Sequence, residues 1–104
     1  MATEDSAVLE RLYAVIEGRR GADPAASHTA QLFAKGTAKI AQKVGEEAVE
    51  TLIEALRGDR ERLVMESADL LYHLLVLWAD QGVAPSAVFA ELKAREGRTR
   101  TRKS

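Results

Sequence analysis

At 104 residues and without cysteine, the chain has room for one domain around one core, and it cannot build a disulfide framework or a thiolate metal site. Hydrophobic residues make up 46% and charged residues 30%, an ordinary globular balance. With no apolar run of about 18 residues and no signal-peptide pattern, the expectation is a cytoplasmic protein with no membrane partner.

The net charge of −1 hides an uneven distribution. Residues 1–97 carry 11 lysines and arginines against 16 aspartates and glutamates, and Arg98, Arg100, Arg102 and Lys103 close the chain. An acidic body and a basic end with no interleaved aromatics argue against a nucleic-acid partner. The division predicted is a helical domain over 1–97 and a frayed basic tail over 98–104.

In chain order, the first helical stretch runs from about Glu4 to Glu17, with Leu9, Leu12, Tyr13 and Ile16 at helical spacing and Gly18 as its stop. A polar loop follows from Gly21 to His28, with Asp23-Pro24 as a turn signal. The second stretch runs from about Thr29 to Arg57 and stops at Gly58, with Gly36-Thr37 as a point where a short helix, Thr29 to Lys35, splits off. The third extends from Asp59, a natural N-cap, to about Gln81, before Gly82. The fourth opens at Pro85, a favoured first helical position, and ends near Glu96. No strand-period run competes, so the fold class is all-α, with four to five helices.

Two of these helices carry the candidate chemistry. On an ideal wheel, Glu47 falls at the edge of the apolar sector formed by Ile40, Val44, Ala48, Leu52 and Ala55, so its side chain is expected to lean towards the core. The third helix is apolar on most sides, which predicts burial on most sides; Glu66, Asp69, His73 and Asp80 lie on its one polar strip. Glu47 precedes Gly58 by 11 residues, and Glu66 and Asp69 follow it by 8 and 11. Antiparallel packing about that turn therefore brings Glu47, Glu50, Glu66 and Asp69 to one height. Two unit charges about 4 Å apart repel by about 4 kcal/mol at an effective dielectric near 20, so such a cluster calls for protons or a cation. An all-oxygen donor set suits Mg²⁺, with Mn²⁺ as a substitute, better than Zn²⁺.

Lys35, Lys39 and Lys43 recur every four residues and lead into Glu47 and Glu50. Read plainly, they support a solvated helix face; read functionally, they hold phosphates beside a metal. Trp78, Tyr72 and His73 are expected to be structural, His73 as a satisfied interior histidine and Tyr72 with its hydroxyl seeking a partner.

The run Gln42-Lys43-Val44-Gly45-Glu46-Glu47-Ala48-Val49-Glu50, followed by Glu66-Ser67-Ala68-Asp69, resembles the Glu-Glu-x-x-Glu…Glu-x-x-Asp signature of the all-α, MazG-like nucleotide pyrophosphohydrolases. Within that group Ser27-His28-Thr29, Leu32-Phe33-Ala34-Lys35-Gly36, Lys39-Ile40-Ala41-Gln42-Lys43 and Asp69-Leu70-Leu71-Tyr72-His73 are similar to the phosphoribosyl-ATP pyrophosphatase family, over about Leu9 to Glu96. His28 departs from the pattern, which leads one to expect Tyr between Ser27 and Thr29, and is a possible substrate contact.

The resemblance implies Mg²⁺-dependent hydrolysis of phosphoribosyl-ATP to phosphoribosyl-AMP and pyrophosphate, the second step of histidine biosynthesis. It implies an antiparallel helical bundle completed by homodimerisation, and a separate cyclohydrolase for the next step. The roles assigned on this reading are metal ligation by Glu47, Glu50, Glu66 and Asp69. Glu46 either binds a second metal or acts with Glu47 in catalysis, as a base orienting the attacking water. Lys35, Lys39, Lys43, Ser27 and Thr29 take phosphate or ribose contacts. Two other readings compete: a house-cleaning pyrophosphatase of the same fold acting on a free or modified nucleoside triphosphate, and a non-catalytic helical dimerisation module.

Overall fold

The computed structural model describes residues 7–98. Among these the secondary structure is helical throughout: α1 (Ala7–Glu17), α2 (His28–Lys35), α3 (Thr37–Arg57), α4 (Arg60–Gln81) and α5 (Pro85–Ala94). Glu4 to Ser6 of the first predicted helix, and residues 99–104 of the basic tail, lie outside the described residues. The last helix ends at Ala94, slightly earlier than expected.

The breaks follow from local chemistry. Ser27 caps α2 by accepting the Ala30 N–H on Oγ at 3.2 Å. Gly36 has φ +96°, a conformation closed to most L-residues, and its N–H reaches back to the Leu32 and Phe33 carbonyls, so the predicted second stretch is two helices. Gly58, with φ +77°, ends α3 in a Schellman arrangement completed by Asp59 N–H bonding to the Glu54 carbonyl at 3.2 Å. Asp59 at once starts α4, its Oδ1 accepting from Arg62 N–H at 3.1 Å. Two consecutive residues thus reverse the chain, and α3 and α4 run back antiparallel as a long hairpin.

The core occupies one end of that hairpin. Ile16, Leu32, Ile40, Leu75, Val76 and Ala79 are buried together, with Leu9, Leu12, Tyr13, Phe33, Tyr72 and Trp78 packed around them. Here α1 packs on α4, α2 on both α3 and α4, and α5 on α1. Polar clasps seal this end. Arg20 donates to the Ala79 carbonyl and lies over the Phe33 ring, 5.1 Å from its centroid, and Tyr13 Oη donates to the Val83 carbonyl at 2.9 Å.

Towards the Gly58 turn the hairpin stands uncovered. Val49, Leu52, Ile53 and Leu56 on α3, and Val64, Met65 and Leu71 on α4, are exposed, Leu56 by 88%. The expectation that α4 is buried on most sides therefore holds in its C-terminal half and fails in its N-terminal half within a single chain. No helix among the described residues is long and apolar enough to cross a membrane.

Candidate active site between the long helices

The register of α3 against α4 is set at both ends. Near the turn, Arg62 Nε donates to Glu54 Oε2 at 3.4 Å; at the open end, Thr37 Oγ1 donates to Asp80 Oδ2 at 2.6 Å. Midway between them Glu47 of α3 meets Glu66 and Asp69 of α4. One carboxylate oxygen from each of the three lies within 4.8 Å of the other two. Glu66 and Asp69 share a face because residues three apart on a helix are neighbours. Glu47 reaches them because its place on the wheel turns it inward.

Burial makes this meeting costly. The side chains of Glu47 and Glu66 are only 12% and 13% exposed. Glu47 Oε1 and Glu66 Oε1 are each buried with no hydrogen-bond partner among the described residues. Thr51, one turn on, donates instead to the Glu47 backbone carbonyl at 2.8 Å. A buried ionised oxygen without a donor is unfavourable, and two of them facing a third carboxylate make a donor set for a hard divalent cation. Burial first, then the Glu50 charge, then contact with Glu47 and the charge of Asp69, push the Glu66 carboxyl above its ordinary value of 4.5. Glu50 stands on an exposed part of α3, outside the closest group, yet near enough to act on Glu66.

This strain has a definite pH signature in metal-free protein. The folded state holds the Glu66 proton more tightly than the unfolded chain does. The associated stability is therefore complete below about pH 4.5 and is lost as pH rises through the elevated folded value. Glu66→Gln cannot ionise, so in chelator it should melt above the parent at neutral pH, with the gap closing as pH falls towards 4.5. Glu46 does not interfere, because its carboxyl is held below 4.5 and titrates beneath this window. Thermal melts followed by circular dichroism check this; a gap absent at neutrality, or widening on acidification, contradicts the clash.

The other predicted site residues are distributed unevenly. Glu46 points away from the three-acid group, accepting from Gln42 Nε2 at 2.8 Å and lying 3.4 Å from Lys43 Nζ. The Gln42 hydrogen bond, aided by Lys43, is what holds its carboxyl low, which keeps it ionised and makes it a weak proton acceptor. Lys43 also approaches Glu47 Oε2 at 4.0 Å, so it screens the acids as well as flanking the site. Lys39 lies one turn earlier on α3, whereas Lys35 is the last residue of α2. The glycine break therefore divides the predicted run of three lysines between two helices.

The start of α2 docks beside the acids. Thr29 Oγ1 is hydrogen-bonded to Tyr72 Oη, and the exposed His28 ring stacks on Tyr72 with centroids 6.4 Å apart. Tyr72 follows Asp69 by three residues on α4, so Ser27, His28 and Thr29 are gathered about one helical turn from it. Ser27 Oγ is occupied as an acceptor by its cap and retains its own O–H as a donor. His73 is only half satisfied. Its Nδ1 donates to the Asp69 carbonyl at 2.8 Å, while Nε2 is buried without a partner among the described residues.

Glu54 is a carboxylate that the reading of the residues did not single out. It is 7% exposed and lies in the same seam. The signal was present: Glu54 follows Glu47 by seven residues, and two helical turns bring a side chain back to within about 20° on the wheel.

Residues 9–96 match the family model described as phosphoribosyl-ATP pyrophosphohydrolase. The chain belongs to that family. Among relatives named phosphoribosyl-ATP pyrophosphatase, it is 66% identical over 92 residues to that of Azospirillum brasilense, covering 88% of this chain and 83% of the relative. It is 62% identical over 94 residues to the protein of Paramagnetospirillum magneticum, covering 90% and 86%, and 61% identical over 90 residues to that of Gluconobacter oxydans, covering 86% and 68%. The family match takes in α2 to α5 entire and the four predicted metal ligands Glu47, Glu50, Glu66 and Asp69.

Proposed function

We infer that this phosphoribosyl-ATP pyrophosphohydrolase family member hydrolyses phosphoribosyl-ATP to phosphoribosyl-AMP and pyrophosphate, the second step of histidine biosynthesis, as a cytoplasmic Mg²⁺-dependent homodimer. The observation that carries the catalytic reading is the approach of Glu47, Glu66 and Asp69 oxygens to within 4.8 Å, two of the acids presenting buried oxygens that lack a donor.

Glu47, Glu66 and Asp69 would form the innermost ligand set for a divalent cation, with Glu50, whose charge acts on Glu66, as the fourth carboxylate beside them. A bound Mg²⁺ neutralises charge on the phosphate oxygens and lowers the pKa of a coordinated water. The chain's own residues do the positioning. Lys39 and Lys43 approach along α3 to hold phosphate oxygens, with Lys35 reaching in from the end of α2. Ser27, Thr29 and His28 at the start of α2 contact the phosphate or ribose end. Phosphoryl transfer depends on in-line geometry and charge neutralisation more than on a covalent helper. A carboxylate pressed upward in pKa, as Glu66 is, returns towards its ordinary behaviour once a cation joins the acids.

A second copy of the chain covers the exposed apolar stripe Val49, Leu52, Ile53 and Leu56. On the wheel this stripe lies opposite Glu47, so dimerisation leaves the acid seam open to substrate.

The substrate assignment is tested by pyrophosphate release from phosphoribosyl-ATP, the four common nucleoside triphosphates and dUTP, each with Mg²⁺ or Mn²⁺. The expected result is a kcat/KM for phosphoribosyl-ATP above every free triphosphate by about a hundredfold or more. That is the selectivity available when buried polar groups are matched to a substrate's hydroxyls. A preference for a free triphosphate replaces the biosynthetic role with a house-cleaning one.

A further inference from the structure

Beyond the acids of the family signature, Glu54 and Arg62 join the same seam. Glu54 lies one turn beyond Glu50, buried to 7% exposure. Its Oε2 accepts from Arg62 Nε at 3.4 Å, whereas its Oε1, 3.9 Å from Arg57 Nε, is buried without a hydrogen-bond partner among the described residues. The guanidinium of Arg62 extends onward, placing Nη2 3.9 Å from Glu66 Oε2. Arg62 is fixed at its root as well, since its backbone N–H is bound by the Asp59 cap. One planar side chain therefore spans from a buried carboxylate on α3 to a candidate metal ligand on α4. Glu66 is approached at Oε2 by Arg62, while its other oxygen, Oε1, stays buried and unpartnered.

We propose that Arg62, anchored by the buried Glu54 carboxylate, is a positioning residue for Glu66, engaging one carboxylate oxygen so that the other is presented to the divalent cation. The proposal rests on the metal reading given above. A glutamate has three side-chain torsions, and a ligand free to rotate in all of them binds a cation less well than one held in place. Outer partners that orient ligands are for this reason often worth about as much as tenfold to a hundredfold in metal affinity. Arginine suits the task because its planar fork addresses two carboxylates at once, which the single ammonium of lysine does less well.

Simple charge makes the opposite forecast. A guanidinium beside a cation site repels the cation, so its removal tightens binding, and removing Glu54 weakens it. The two ideas separate in a double-mutant cycle. Mn²⁺ binding by metal-depleted protein, read from the free-ion electron paramagnetic resonance signal, is measured for the parent, Arg62→Gln, Glu54→Gln and the double variant. Circular dichroism verifies the fold of each.

Positioning predicts that each single variant binds Mn²⁺ about tenfold more weakly and that the double variant is no worse than the weaker single. Tighter binding by Arg62→Gln, with the double variant returning to the parental value, overturns the proposal in favour of charge alone; so does unchanged affinity in Arg62→Gln. Should either single variant fail to fold, the double variant removes the Arg62 and Glu54 charges together, so neither is left without the other, and it decides by itself: about tenfold weaker supports positioning, and parental affinity overturns it. A parent that binds no Mn²⁺ removes the metal reading and this inference together, whereas a parent that binds, with unaffected variants, removes only the inference.

Discussion

Glu47→Gln should lose turnover of phosphoribosyl-ATP by about a hundredfold to ten-thousandfold while keeping the helical fold. The substitution is nearly isosteric and removes one of the three converging carboxylates. Metal stabilisation of a phosphoryl transition state is worth several kcal/mol, and each 1.4 kcal/mol is about tenfold in rate. Stability should move the other way in the absence of metal, since a buried, unpartnered anionic oxygen disappears with Glu47. The control is a titration of melting temperature with Mg²⁺ or Mn²⁺. Metal that binds only folded protein stabilises it by about 2.7 kcal/mol at 100-fold over its dissociation constant, and this response should shrink or vanish in the variant. Steady-state kinetics with saturating Mg²⁺ measure the first effect. Turnover retained in the variant would remove Glu47 from the catalytic machinery, and a parent that turns over no nucleotide would return the chain to the reading of a non-catalytic dimerisation module.

The second large effect is expected far from the acids. Leu52 is 61% exposed in the single chain and lies in the middle of the uncovered α3 stripe. Within one chain, Leu52→Asp should cost no more than about 0.5 kcal/mol, as a surface substitution does. In a dimer that covers the stripe, the same change buries a carboxylate without a partner, at a cost of several kcal/mol, which weakens association by more than about a hundredfold. Sedimentation velocity should show a dimer for the parent and a monomer for the variant at micromolar concentration. The melting temperature of the parent should rise with protein concentration, and that of the variant should not. A parent that sediments as a monomer at all concentrations refutes the dimer, and the exposed leucines would then need another cover.

The interplay of these two regions explains why the hairpin is built as it is. One side of α3 is given to carboxylates that resist close approach, and the opposite side to apolar residues that favour it. The core at the Ile40–Leu75 end anchors both helices, and the Gly58-Asp59 reversal fixes their height. Glu47 and Glu66 are held together by a scaffold whose stability lies elsewhere, so cation binding can relieve a repulsion that the fold itself imposes.

Much of this was legible in the residues alone. Helix boundaries were marked by side chains and glycines whose effects are local: the Asp59 cap, the left-handed stops at Gly58 and Gly82, and Pro85 opening α5. The 3.6-residue period determined which face of each helix Glu47, Glu66 and Asp69 occupy, and equal spacing about Gly58 brought them to one height. Family resemblance rested on contiguous motifs and needed no coordinates.

Only the tertiary structure decided what covers each face. Periodicity says that α4 is apolar nearly all round, but not that α1 and α2 bury only its second half and leave Val64 and Met65 bare. It set Lys35, Lys39 and Lys43 four residues apart and marked a split at Gly36-Thr37, but the direction in which Lys35 leaves the line follows from the backbone at Gly36, with φ +96°. Pairing was equally hidden. Glu46 engaging Gln42 and Lys43, Thr29 bonded to Tyr72, and Glu54 buried under Arg62 depend on side-chain reach across neighbouring turns and helices. A local pattern fixes the direction in which a side chain leaves its helix, whereas its partners depend on which element is packed there and at what offset, and that is a property of the whole chain.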